Sequence, residues 1–187
     1  MQPVILRTAR LELSPPTGDD VDAIFAACQD ELIQRFTTVP SPYARAHAEG
    51  FVVKAATWWD AGTEATWALR ANGALAGMIG LHRIADGSAE LGYWVAPAAR
   101  GRGLIVEAAR TVIDWGFSPD GLGLVRIEWR AVVDNPASHR VARRLGFRYE
   151  GRLRSALVSG AGVRSDGLVA GLLSTDERTP QEWPGLP

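Results

Sequence analysis

The residues Val95-Ala96-Pro97-Ala98-Ala99-Arg100-Gly101-Arg102-Gly103-Leu104 constrain this chain more than any other stretch. They leave an aromatic strand, Glu90-Leu91-Gly92-Tyr93-Trp94-Val95, and cross a short basic turn. They then enter a helix expected from Leu104 to about Phe117. A turn of this kind exposes backbone N–H groups at a helix N-terminus, where the dipole favours anions. Gly101 and Gly103 lack a Cβ, so the backbone can come close to a ligand. Arg100 and Arg102 carry guanidinium groups that match phosphate oxygens. The stretch is therefore expected to cradle a pyrophosphate; the alternative is a solvated basic loop. No Gly-Lys-Ser/Thr follows, so it is not a nucleotide P-loop, and it lacks the Gly-x-Gly-x-x-Gly of a dinucleotide site.

The rest of the chain reads as strands and amphipathic helices around that turn. Ile5, Leu6, Leu11 and Leu13 form a first strand, stopped by Pro15-Pro16. Val21, Ile24, Phe25 and Cys28 share one face of a helix, which places Cys28 in core packing. Residues 37–43 hold Pro40 and Pro42 and read as a loop. A second helix runs from about Arg45 to Asp60, with Phe51, Ala55 and Trp58 on one face and Gly62 at its end. Asn72-Gly73 and Asp86-Gly87 are turn signals that join three antiparallel strands, 66–70, 75–84 and 88–95. Along the third, Leu91, Tyr93 and Val95 face one way and Glu90, Gly92 and Trp94 the other.

After the turn, Ile105, Ala108, Ala109, Val112 and Ile113 make an apolar helical stripe. A strand over 125–132, a helix starting at Asn135-Pro136 and capped by Gly146, and strands over 147–153 and 163–173 complete the pattern. The tail over about 175–187 has no periodicity and is expected to be loosely held. The order implies one α+β domain with a mixed sheet, spanning 1–187.

Composition excludes several classes. A net charge of -1 argues against a direct nucleic-acid surface, which is usually basic. The single cysteine rules out an intramolecular disulfide and a cysteine-based zinc cluster, and no histidine pair has ligand spacing, so no metal is expected. No signal peptide and no apolar run approaching about 18 residues is present, so no membrane role is expected and the default location is cytoplasmic.

Tyr93-Trp94-Val95-Ala96-Pro97 followed by Arg100-Gly101-Arg102-Gly103-Leu104 resembles the acyl-CoA-binding motif of the GNAT acetyltransferase superfamily. That pattern, Arg/Gln-x-x-Gly-x-Gly/Ala, is met at Arg100 and Gly103 and departs at Ile105. A second block, Val133-Asp134-Asn135-Pro136-Ala137-Ser138, then Leu145-Gly146-Phe147 and Glu150-Gly151, is similar to the Rim-type branch, which includes acetyltransferases of ribosomal-protein N-termini. The opening Leu6-Arg7-Thr8-Ala9-Arg10-Leu11 fits the same branch, so the resemblance covers about Ile5 to Leu173.

The resemblance implies a mixed, mostly antiparallel sheet of about seven strands with about four helices, whose central strands 88–95 and 125–132 splay apart. Acetyl-CoA would lie in the gap as acyl donor, its pantetheine amides meeting backbone groups that the splay leaves unpaired. Trp94, Val95, Arg100, Gly101, Arg102, Gly103, Leu104, Asn135 and Ser138 would hold it. Ser138 would also stand near the departing sulfur, in preference to Tyr149, with a local backbone bond as its alternative role. Glu90, ahead of Glu128, is the expected base for the acceptor amine; the alternatives are an ordered water as base and, for these carboxylates, a solvated sheet face or an ion pair, with Arg126 and Arg130 flanking Glu128. The N–H near Val95 is the expected donor to the thioester oxygen. Trp58, Trp59 and Trp67 are candidates for an aromatic acceptor pocket.

The expected activity is N-acyl transfer to a primary amine, a protein N-terminus or a small molecule, by direct attack in a ternary complex. The alternatives are a longer acyl chain, a non-catalytic acyl-CoA sensor and, least favoured, a nucleotide-binding regulator. Monomer and homodimer both remain open.

Overall fold

The computed structural model of the chain describes residues 1–183. Its eight strands form one sheet in the order β1-β2-β3-β4-β5-β6-β8-β7. The strands are β1 (Leu6–Arg7), β2 (Leu11–Ser14), β3 (Ala65–Ala71), β4 (Ala74–Ala85), β5 (Ser88–Val95), β6 (Arg126–Val132), β7 (Arg148–Val158) and β8 (Arg164–Leu173). All neighbours are antiparallel except β5 and β6. Five α-helices flank the sheet: α1 (Val21–Ala27), α2 (Glu31–Phe36), α3 (Arg45–Ala61), α4 (Leu104–Phe117) and α5 (Pro136–Leu145).

The count exceeds the expected seven strands and four helices for local reasons. The opening segment turns on Thr8, whose Oγ1 accepts the N–H groups of Arg10 and Leu11, so it makes a hairpin rather than one strand. The short α2 is nucleated by Asp30, whose carboxylate accepts the Ile33 N–H. Both turn signals hold: Asn72, Gly73, Asp86 and Gly87 all have positive φ, as a tight hairpin turn demands.

Side-chain alternation divides the core between two faces. Leu91, Ile127 and Trp129 lie with the α4 stripe, Ile105, Ala108, Ala109, Val112 and Ile113. Ala68 and Met78, with Trp94 packed against them, lie with Val21, Ile24 and Cys28 of the α1 segment. Burial pushes the Cys28 thiol up to about 11, in keeping with a packing role. Trp59 and Trp67 are fully buried. They pack edge to face at 5.0 Å, and Trp115 closes the cluster. They are core, not acceptor pocket; of the three expected tryptophans only Trp58 lines the cleft.

The segment after β8 is not loose as far as it is described. Trp183 is buried, donates to the Phe147 carbonyl at 2.9 Å and packs on Trp129 and Tyr149. Gln181 N–H bonds to Arg143 O at 2.9 Å. A large apolar ring thus anchors the tail, which its sequence periodicity could not indicate. The expected tail also includes 184–187, which lie outside the described residues. No helix among the described residues is long and apolar enough to cross a membrane.

Candidate active site

β5 and β6 pair only at Ser88↔Arg126, Ala89↔Ile127 and Glu90↔Glu128. Beyond that point each follows its outer neighbour, β5 to Val95↔Gly77 on β4 and β6 to Val132↔Gly167 on β8. The two strands therefore part in the middle of the sheet. Ala96 N–H bonds to Ala76 O, so by antiparallel alternation Trp94 and Gly92 share the β4 ladder. The Leu91 N–H still meets Glu128 in the last β5–β6 pair, and beyond it the Leu91 C=O and the N–H and C=O groups of Tyr93 and Val95 face the gap. Buried polar groups of this kind need partners. The Val95 carbonyl has one, Arg100 Nε at 3.2 Å.

The basic turn closes the end of this opening. After a 3-10 turn at Pro97–Ala99, Gly101 and Gly103 both adopt φ 73°, the left-handed region that favours glycine. A Cβ at either would meet nothing closer than Arg10 Nη2, 4.0 Å from Gly103, so the space in front is open. The N–H groups of Gly101, Arg102 and Gly103 make no hydrogen bond among the described residues, and no side chain caps α4. Leu104 and Ile105 are buried, so the first turn of α4 offers backbone, not side chain, to the opening. This is the construction of an anion cradle.

Two ion pairs hold the cradle in shape. The Arg100 guanidinium grips the Asp30 carboxylate through both oxygens, at 2.6 and 3.2 Å. The Arg100 hydrogen bond, outweighing burial, holds the Asp30 carboxyl below its usual value. Arg100 is thus a clamp to α2 rather than the free phosphate ligand its sequence suggested. Behind the turn, Glu107 takes Thr8 Oγ1 at 2.5 Å and Arg10 Nε at 2.7 Å, while Arg10 Nη1 donates to Arg102 O at 3.1 Å. Burial works against the Glu107 charge, but these bonds leave its carboxyl below the usual value. The Arg102 side chain is exposed and outside the cleft lining. Arg140 and Arg144 of α5 do line it, and neither forms an ion pair among the described residues.

Across the gap stands Ser138, in the first turn of α5. Asn135 caps that turn, its Oδ1 accepting the Ser138 N–H at 3.2 Å, so Asn135 has a structural task. Trp129 Nε1 donates to Ser138 Oγ at 3.1 Å, and Tyr93 Oη lies 2.8 Å from the same oxygen. Trp129 can only donate, so of the Ser138 and Tyr93 hydroxyl protons one bridges the two oxygens and the other is left to be passed on. Burial pushes the Tyr93 phenol up to about 12, which keeps it protonated at neutral pH. Tyr149 instead packs on Trp183.

Glu90 and Glu128, expected as bases, are charge-paired. Arg83, held at φ 52° by a bulge in β4, closes on Glu90. Arg130 Nε lies 2.5 Å from Glu128 and 3.8 Å from Glu90. Arg126 joins Glu128 at 3.3 Å to Glu150 at 2.6 Å. Sequence reasoning missed another pair on the same face: His82 Nδ1 lies 2.7 Å from Glu64 Oε2. The available signal was the pair of glycines, Gly80 and Gly92, which face each other and leave room beside His82.

Glu64, His82, Glu90, Tyr93, Arg100 and Ser138 border a cleft of about 2000 Å³ with the turn glycines Gly101 and Gly103, and Thr8, Arg10 and Asp30 support it from outside. That exceeds the roughly 300–1,000 Å³ of a single small-ligand pocket and suits two substrates. The β7–β8 hairpin roofs it, with Gly160 N–H bonded to Thr37 O at 3.3 Å. Among the described residues no group of three or more His, Cys, Asp or Glu side chains could hold a metal.

Residues 10–148 match the acetyltransferase (GNAT) domain family. The chain is 32% identical to the uncharacterized N-acetyltransferase YoaA of Bacillus subtilis (strain 168) over 154 residues, 80% of this chain and 86% of that one. It is 38% identical to the ribosomal-protein-serine acetyltransferase of Escherichia coli (strain K12) over 84 residues, 44% and 46% of the two chains. In architecture it resembles RimL, a ribosomal L7/L12 α-N-protein acetyltransferase solved with coenzyme A, at a TM-score of 0.79 over 91% of this chain and 98% of that one. At 21% identity that likeness concerns the fold.

Proposed function

Because this chain belongs to the GNAT acetyltransferase family, we propose that it moves an acetyl group from acetyl-CoA to a primary amine by direct attack in a ternary complex. The observation that carries the reading is the parting of β5 and β6 beside an uncapped, glycine-built helix start. The residues present fit the donor: open N–H groups for a pyrophosphate and gap-facing strand amides for an extended amide arm. When bound, acetyl-CoA supplies the thioester that is split.

The chain's own groups have separate tasks. The N–H groups of Gly101, Arg102, Gly103 and Leu104 bind the pyrophosphate, and Arg100 fixes that loop through Asp30. Arg140 and Arg144 supply exposed positive charge on the cleft wall. Trp94 and Val95 form the strand wall against the arm, and the Val95 N–H donates to the thioester oxygen. Ser138, coupled to Tyr93, gives a proton to the departing sulfur. The acceptor enters from the side of Trp58 and the α2–α3 segment. A free protein N-terminus is favoured as acceptor by the ribosomal-protein-serine acetyltransferase among the relatives.

A CoA-sensing role without turnover has less support. The departure from the motif at Ile105 lends it little, because Ile105 is buried in the core stripe of α4. The deciding experiment is calorimetric binding of acetyl-CoA together with thiol release in the presence of N-terminal peptides and small amines. Binding without release on either acceptor class would favour the sensor.

A further inference from the structure

His82 occupies the face of the sheet opposite α4, where the acceptor is proposed to enter. It is the last residue of β4 in regular register with β5 before the bulge, and it stands opposite Glu90. Its Nδ1 lies 2.7 Å from Glu64 Oε2. A carboxylate can only accept, so this contact places the ring proton on Nδ1 and leaves the lone pair on Nε2.

The place of Nε2 is set by two glycines. Gly80 and Gly92 are cross-strand partners. A Cβ at Gly92 would stand 2.7 Å from both Nε2 and Cδ2 of His82, and one at Gly80 would stand 3.0 Å from Cε1. The imidazole therefore lies over β5 at Gly92, inside the stretch where β5 has left β6 and next to Tyr93, whose backbone faces the gap. Nε2 has no partner among the described residues, and His82, Glu64 and Gly92 all line the cleft. The charged groups near the ring are Glu64 and, across the strand pair, Glu90 with its partners Arg83 and Arg130; Lys54 of α3 lines the same cleft. Of the candidate proton acceptors on this face, Glu128 is hydrogen-bonded by Arg126 and Arg130, and Glu90 lies against the Arg83 and Arg130 guanidinium groups although its Oε2 accepts no hydrogen bond among the described residues; His82 Nε2 has no cation against it.

Resting on the reading of this chain as an acetyl-CoA-dependent amine acetyltransferase, we infer that His82 is the catalytic base that deprotonates the acceptor ammonium, and that Glu64 is the positioning residue that fixes its tautomer. Nε2 takes one proton from the ammonium, and the imidazolium is held by Glu64. The freed nitrogen lone pair forms the C–N bond to the acetyl carbon as the C–S bond breaks. The second nitrogen proton, acidic once the C–N bond has formed, passes to water, and the proton that Ser138 and Tyr93 deliver to sulfur is replaced from water. His82 returns its proton to water, so an amide, a thiol and one proton leave.

The test compares kcat/KM against pH for the unaltered protein, His82→Gln and Glu64→Gln, using acetyl-CoA and a peptide with a free N-terminal serine or a small primary amine. His82→Gln is expected to lose about 10²–10⁴-fold in kcat/KM and the rising acidic limb, with acetyl-CoA affinity unchanged. Glu64→Gln is expected to lose less and to keep a limb. Wild-type rates and an unchanged profile in His82→Gln overturn the base assignment while leaving the acetyltransferase reading intact. Failure of the unaltered protein to bind acetyl-CoA overturns both. If His82→Gln does not fold, ¹⁵N-imidazole NMR of the unaltered protein decides: an Nδ1–H ring supports the assignment, an Nε2–H ring contradicts it.

Discussion

Tyr93 and Ser138 meet hydroxyl to hydroxyl at 2.8 Å across the opening between β5 and α5, and Trp129 fixes the serine oxygen from a third side. The two residues are forty-five positions apart in sequence. Their contact bridges the place where the sheet itself has come apart. If the pair serves the departing sulfur, Ser138→Ala lowers kcat by about 10²–10⁴-fold and leaves acetyl-CoA affinity nearly intact. Tyr93→Phe lowers kcat as well, because it removes the second proton of the relay. Steady-state kinetics beside calorimetry separate these effects; a full-rate Ser138→Ala would return the residue to a helix-start role.

Arg100 acts through Asp30, so Arg100→Ala and Asp30→Ala should weaken acetyl-CoA binding by similar factors, and the double variant should add little. The pair also carries a pH signature. The Asp30 carboxyl lies below its usual value in the fold, so its contribution to stability is present above the ordinary aspartate value of about 3.9. It is lost as pH falls through the lowered value. Asp30→Asn should therefore lower the melting temperature at pH 6 and flatten its decline below about pH 4, read by thermal melts in steps of pH.

Arg140 and Arg144 carry the phosphate charge in this account. Each alanine variant should weaken CoA by about tenfold, with a shallower salt dependence than the parent. Dephospho-CoA tells which phosphate is held: an arginine that grips the ribose phosphate costs nothing further when that phosphate is absent.

Ile105 belongs to the buried stripe of α4. Ile105→Ala should destabilise the fold by about 2–5 kcal/mol in chemical denaturation and leave CoA affinity alone. Tighter binding with no loss of stability would mean that the side chain obstructs the cradle.

Much of the fold could be read from local signals. Asn72-Gly73 and Asp86-Gly87 made their turns, and Gly62 and Gly146 ended α3 and α5 in left-handed conformations. The cradle was legible because its glycines and helix start are contiguous. What escaped depends on distant pairings. Asp30 claims Arg100 from seventy residues away, and Arg83 reaches Glu90 only because a bulge turns its backbone. Six residues of α2 are too few to show a helical period. Trp59 and Trp67 look like Trp58 in sequence; only the packing of α3 against β3 makes them core.

Acetyl transfer itself is the central claim, and it is measured most directly by incubating the purified protein with acetyl-CoA and peptides or small amines, counting free thiol and acetylated amine together. The account predicts one thiol for each new amide, formed only when both substrates are present. CoA bound in the cleft with no amide formed on any primary amine would contradict it.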